Sequence, residues 1–201
     1  MLMCFGTVAS SMVAEEVEVT AVKFANVRPP NGGNGTWLEA DIALNVRAAP
    51  GSAGAMVSRV RVILTLGFEL PGGETIQRAQ GPGPVEGRHI DHYRAEAECV
   101  ALDAGRADVR FYLPPELVKR DQLHGEPKYW GVEVAVAGRP LPAVHAAYSA
   151  ALATADQQKN FQARAATSAA LNDGLLQPQY GTVFAGEYPR ATPSFVRREA
   201  R

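Results

Sequence analysis

The chain has 201 residues, of which 46% are hydrophobic, 20% charged and 7% aromatic. A formal net charge of −1 excludes a protein that coats nucleic acid by charge alone, and no apolar run approaches the roughly 18 residues of a membrane span. Its 19 glycines and 14 prolines, about one residue in six, predict frequent turns but neither collagen nor wholesale disorder.

Residues 1–14 read MLMCFGTVASSMVA, without a charge, and Glu15 and Glu16 follow. This predicts a truncated export signal. The small residues Ala9, Ser11 and Ala14 suit a signal peptidase, while the basic region that normally leads the apolar stretch is missing. The alternative is a buried first strand. Cys4 follows Met1-Leu2-Met3 and so lies outside a lipidation box.

The next 125 or so residues alternate with period two, the mark of strands with one buried and one wet face. In 17–27, Val17, Val19 and Ala21 give way to Val22 and Phe24, a phase change that predicts a bulge. The run Arg28-Pro29-Pro30-Asn31-Gly32-Gly33-Asn34-Gly35 cannot continue a strand. Leu38, Ala40, Ile42, Leu44 and Val46 mark a second strand. After a loop with Pro50, Gly51 and Gly54, a third follows with Val60, Val62, Leu64, Leu66, Phe68 and Leu70, opposed by Arg59, Arg61, Thr65 and Glu69. Pro71-Gly72-Gly73-Glu74 closes it and predicts a hairpin into 75–80; 81–87 is a flexible stretch.

In 93–99, Tyr93, Ala95, Ala97 and Cys99 share one face, with Arg94, Glu96 and Glu98 on the other. Cys99 reads as a small buried apolar residue. Asp103-Ala104-Gly105-Arg106 predicts the turn of a hairpin into Ala107, Val109, Phe111 and Leu113, with Asp108, Arg110 and Tyr112 facing away. Pro114-Pro115-Glu116 opens a helical turn through Leu123, and Trp130, Val132, Val134 and Val136 form a further strand. Six or seven short strands separated by turn signals predict a mainly β protein, an antiparallel β-sandwich over 15–142. A closed barrel is the alternative.

After Pro140-Leu141-Pro142 the composition turns alanine-rich. Residues 143–172 read as a helical segment, one long helix or two, with Val144, Tyr148 and Leu152 on one side and a break at the polar 156–160. Asn172-Asp173-Gly174 stops it. The final 173–201 is an extended tail carrying Pro178, Pro189 and Pro193 among Tyr180, Phe184, Tyr188 and Phe195. Such a tail packs back on the sandwich or awaits a partner, so these four aromatics are the candidate partner-binding residues.

Candidate chemistry is thin. His89-Ile90-Asp91-His92 holds three potential metal ligands, but a spacing of three in a strand sends the histidines to opposite faces, which opposes chelation. They read as surface polar residues, and His124 and His145 are isolated. Gly32-Gly33-Asn34-Gly35 lacks the Lys-Ser/Thr of a phosphate loop, no serine sits in a nucleophile elbow, and the carboxylates are scattered. No catalytic, cofactor-binding or metal-binding residue is assigned, and the chain reads as a non-enzyme. Asn34-Gly35-Thr36 matches a glycosylation triplet that matters only in a eukaryotic secretory cell. Arg59, Arg61, Lys119 and Arg120 would make a modest basic patch for an acidic glycan or lipid, or else a solvated face balanced by Glu39 and Asp41. Few aromatics interleave with these charges, so nothing supports nucleic-acid binding.

Three stretches carry a family resemblance: Tyr93-Arg94-Ala95-Glu96-Ala97-Glu98; Phe111-Tyr112-Leu113-Pro114-Pro115-Glu116-Leu117-Val118-Lys119-Arg120-Asp121; and Pro127-Lys128-Tyr129-Trp130. Together with Pro178-Gln179-Tyr180 and Thr192-Pro193-Ser194-Phe195, they resemble the verrucomicrobial pilus-like proteins encoded in the type IV pilus-like gene cluster of Akkermansia and relatives. The resemblance implies an immunoglobulin-like β-sandwich, exported to the periplasm, outer membrane or cell surface, with no catalytic residues to carry over. The expectation is a non-enzymatic component or accessory of a pilus-like system, acting through contacts with other envelope or pilus-assembly proteins. A glycan- or ligand-binding adhesin-type sandwich is the alternative, with a surface glycan as partner. An unrecognised hydrolase would require a pocket of converging polar groups. If the tail binds the partner, deleting 175–201 should abolish binding and leave the sandwich folded.

Overall fold

The computed structural model describes residues 16–30, 32–48, 55–69, 90–123, 125–187 and Phe195. The expected export signal, Cys4, Leu70, the hairpin into 75–80, the 81–87 stretch, His89, His124 and Tyr188 lie outside the described residues.

Strands β1 (Glu16–Val27), β2 (Trp37–Arg47), β3 (Met56–Glu69), β4 (Ile90–Asp103), β5 (Gly105–Leu113) and β6 (Tyr129–Val136) are all antiparallel in their pairings. Three two-residue strands follow, β7 (Arg139–Pro140), β8 (Ala147–Tyr148) and β9 (Gln177–Pro178). The first sheet has the order β1-β2-β5-β9; the second runs β4-β3-β6-β7, with β8 also paired to β6. First, second and fifth strands thus face third, fourth and sixth. This is an immunoglobulin-like sandwich in which the fourth strand pairs with the third rather than joining the first sheet. Two separate sheets replace the alternative of a closed barrel.

The alternation read from the sequence is what fills the core. Ile42 and Leu44 from β2, Val62 and Leu64 from β3, Val109 and Phe111 from β5, and Val132 from β6 are buried between the sheets. Each such side chain contributes about 1.5–3 kcal/mol by leaving water. The expected bulge in β1 is a register shift between Val19 and Ala21. A second phase change lies in β3, where Val57 and Val60 both point inward and Arg59 between them takes a φ of 54°.

The turn at 103–106 is not that of a hairpin. Only Ala104 separates β4 from β5, yet β4 pairs with β3 and β5 with β2. The chain crosses from one sheet to the other there, with Gly105 at a φ of +117° that L side chains rarely adopt. A short glycine turn between two alternating runs looks the same in either topology, so the sequence could not separate them.

Helix α1 (Pro115–Arg120) follows β5 as expected, burying Leu117 and Val118, with Glu116 in its first turn and Lys119 and Arg120 in its last. The alanine-rich segment departs from expectation. Short 3-10 turns at Ala143–His145 and Ala150–Leu152 flank β8, and the helix α2 spans only Ala155–Ser168. The polar 156–160 run opens this helix instead of breaking it. Thr154 caps it: its hydroxyl accepts from the Gln157 N–H at 3.3 Å, and the Gln157 side chain accepts from the Thr154 N–H at 3.0 Å. That reciprocal box outweighs the alanine content upstream.

Candidate interaction surface

The segment after residue 142 contributes to both sheets and covers part of each outer face. On the second sheet, Gly67 of β3 and Gly131 of β6 point outward and leave a notch. A Cβ at Gly67 would lie 3.0 Å from Phe161 of α2, and one at Gly131 would lie 2.7 Å from the Tyr148 ring. Both glycines are there because aromatic rings occupy the space of a side chain. Phe161 sits 5.5 Å from the His92 ring and 6.4 Å from that of Tyr129. Gln162 donates to Glu133 at 2.8 Å and contacts the Tyr148 hydroxyl at 2.6 Å.

His92 is therefore buried, contrary to the surface position expected of it. Its Nδ1 lies 2.7 Å from the Ser168 hydroxyl, and Asn172 donates to its carbonyl at 3.0 Å. The reason is α2, which roofs the polar side of β4. Beside α2 runs an open groove of about 580 Å³ lined by Thr65, Arg94, Glu133, Gln162, Ala165 and Asp173 among others.

On the first sheet, Tyr112 of β5 faces away from the core as its alternation predicts, yet is only 1% exposed. The tail explains this. After β9 pairs Gln177 and Pro178 with Tyr112 and Phe111 at the sheet edge, a 3-10 turn at Gln179–Gly181 turns the chain. Phe184 then lies on Tyr112, centroids 4.3 Å apart and planes within 7°, with its edge to Trp37 at 5.6 Å. The Tyr112 hydroxyl donates to Glu39 at 2.7 Å, and burial together with that carboxylate raises its pKa well above the ordinary tyrosine value.

The segment carrying Phe184 is bonded within itself. Gln179, 1% exposed, donates from Nε2 to the carbonyls of Phe184 and Glu187. Thr182 donates from its hydroxyl to the Gln179 carbonyl at 2.9 Å and accepts there from the Phe184 N–H at 3.2 Å. Residues 177–187 thus form a compact strap that presents the Phe184 ring to the Trp37–Tyr112 slot.

The four candidate tail aromatics part company. Phe184 is 2% exposed in the Trp37–Tyr112 slot. Tyr180 and Phe195, both half-buried, meet each other at 5.3 Å. Phe195 also bridges Cys99 on the outer edge of β4 in antiparallel fashion. The tail therefore touches the open edges of both sheets, β5 through β9 and β4 through Phe195. Leu176 is buried in the main core. Deleting 175–201 would remove Leu176, Gln179 and Phe184 from buried positions, so such a truncation cannot leave the sandwich undisturbed as the sequence reading supposed.

Cys99 is a free, fully buried thiol whose pKa burial pushes up to about 12, as expected of a small apolar residue. The basic pair on β3 is balanced, though not by Glu39 and Asp41, which belong to the other sheet. Arg59 pairs with the buried Glu98 at 2.8 Å, and Arg61 lies 3.7 Å from Glu96, both carboxylates on the neighbouring β4. Glu39 and Asp41 are engaged by Tyr112 and Arg110. Arg120 is held by Asp121 at 2.6 Å.

Sequence reasoning missed Trp37, Tyr112 and Gln179. Tyr112 carried a signal: a large aromatic on the wet side of a strand indicates that the face is covered.

No family model and no curated protein matches the chain. Among solved structures, a protein from Akkermansia muciniphila is similar in fold. The two are 17% identical with a TM-score of 0.66, and the match covers 94% of this chain and 98% of the other.

Proposed function

We propose that the chain is a non-enzymatic cell-envelope protein, a component or accessory of a type IV pilus-like system, that acts through contacts with other proteins. The observation that carries this reading is the likeness in fold, over nearly the whole of both chains, to a protein of the genus whose pilus-like family the stretches at 93–130 resemble. The covered aromatic slot and the two edges met by the tail support a role built on strand pairing and ring burial rather than on a reaction. No helix among the described residues is long and apolar enough to cross a membrane.

The test is fractionation of native cells, with mass spectrometry of the protein's N-terminus and identification of what co-purifies. A chain starting near Glu15 in the envelope fraction, together with pilus-assembly proteins, is the expected result. An intact Met1 in the cytoplasm would overturn the proposal.

A further inference from the structure

We propose that the strap exchanges between copies: the β5 edge and the Trp37–Tyr112 slot of one chain take residues 177–187 of a second. Three observations lead there. First, the strap keeps its shape through bonds that span at most eight residues, all within itself. Lifting it about a pivot upstream also draws Leu176 from the core, a position that the second copy offers again, and leaves the module intact, so that it arrives at another seat already ordered.

Second, a pivot lies just before it. Gly174 is exposed at a φ of +74°, and a Cβ placed there would meet nothing within 4 Å. The anchored side of that pivot is fixed by Asn172 on the His92 carbonyl. Third, lifting the strap bares the β5 edge and a tyrosine–tryptophan slot together. An open edge and an apolar slot are what a second, identical segment is shaped to cover.

The chain's own strap holds its seat through an effective concentration on the order of millimolar. Copies packed side by side in an assembly reach that range, and exchange then competes. This deepens the reading of the chain as one that acts through protein contacts, and makes a second copy the partner.

The bridge between Cys99 and Phe195 supplies the test, because cross-strand partners lie within reach of a disulfide. Full-length chain with Phe195→Cys, and Cys4→Ser to remove the other thiol, is oxidised over a range of concentrations. Mass spectrometry then maps the link between positions 99 and 195. Exchange predicts a link within one chain at about 10 µM. The ratio of between-chain to within-chain links should rise about tenfold for each tenfold increase toward about 1 mM.

A link confined to one chain at every concentration overturns the proposal. So does a covalent dimer joined only through two copies of position 195, or no link at all. Should the variant misfold, tagged and untagged wild-type chains are mixed at about 1 mM and captured by the tag. The captured pairs, one partner isotopically heavy, are cross-linked: a link between 177–187 of one label and the strands of the Trp37–Tyr112 slot of the other supports exchange, and links of this kind within one label only, or no co-capture, overturn it. Failure here with an envelope location and pilus proteins in the fractionation would leave the proposed function standing; the reverse pattern would leave exchange standing.

Discussion

Replacing Phe184 with alanine tests whether the tail belongs to the fold. The ring is 2% exposed, stacks on Tyr112 at 4.3 Å and meets Trp37 edge-on at 5.6 Å. Removing a buried phenyl group typically costs 3–5 kcal/mol, of which about 0.5–1.5 reflects each aromatic pairing. The slot lies at the surface and refills with water, so the expected loss is about 3 kcal/mol, the lower end. With a urea slope of about 2 kcal/mol per molar, the unfolding midpoint falls by about 1.5 M. Tryptophan fluorescence should change through Trp37, with Trp130 as the unaltered second emitter, and limited proteolysis should begin to cut within 177–187 under native conditions. A midpoint within about 0.3 M of wild type, with unchanged proteolysis, would refute the claim that this ring fastens the tail.

Other substitutions probe the opposite face and the start of α2. Gly131→Ala sets a Cβ 2.7 Å from the Tyr148 ring, which must move and loosen its contact with Gln162. A loss of about 2 kcal/mol, read as roughly 4–8 °C in Tm, is expected. Thr154→Ala removes the capping box and should cost about 1 kcal/mol in urea unfolding, with Thr154→Ser restoring most of it. Alkaline titration gives a further prediction. Burial raises the pKa of Cys99 and Tyr148 to about 12 each, and burial plus a carboxylate neighbour raises Tyr93 and Tyr112. The unfolded chain gives up these protons nearer 9 and 10 while the folded chain keeps them. Stability is therefore unaffected below that range and falls as the pH climbs above it. Spectrophotometric titration should show Tyr93, Tyr112 and Tyr148 resisting ionisation until the fold opens; six tyrosines titrating together near pH 10 in a folded protein would contradict this.

The sandwich was legible because a sheet with one buried face writes its period into the chain. Ile42, Val62, Val109 and Val132 could be placed in the core from alternation alone, and the β1 bulge from a single slip of phase. Sheet membership at 103–106 was not legible, since pairing depends on partners forty or more residues away. The outer faces were harder still. Alternation marks them as wet, and only odd residues betray a cover: Gly67 and Gly131 within strands, and Tyr112 on a polar side. Thr154 and Gln157 stood at capping-box spacing, but alanine content drew the helix upstream of its true start. The tail aromatics were found without their destination, because Phe184 is seated by Trp37 and Tyr112, far earlier in the chain.

The residues that close both outer faces are made after the strands they cover. The six long strands are complete once Val136 has emerged, whereas Phe161 and Phe184 follow some tens of residues later. At ordinary synthesis speeds the interval is about 1–5 s for Phe161 and about 2–10 s for Phe184. Until these rings emerge, the nascent sandwich shows the glycine notch beside His92 on one side and bare Trp37 and Tyr112 on the other. Its β5 edge is unpaired where β9 will lie. Those seconds are when the chain is most prone to stick to its neighbours, and arrival of α2 ends them on one face and arrival of the strap on the other.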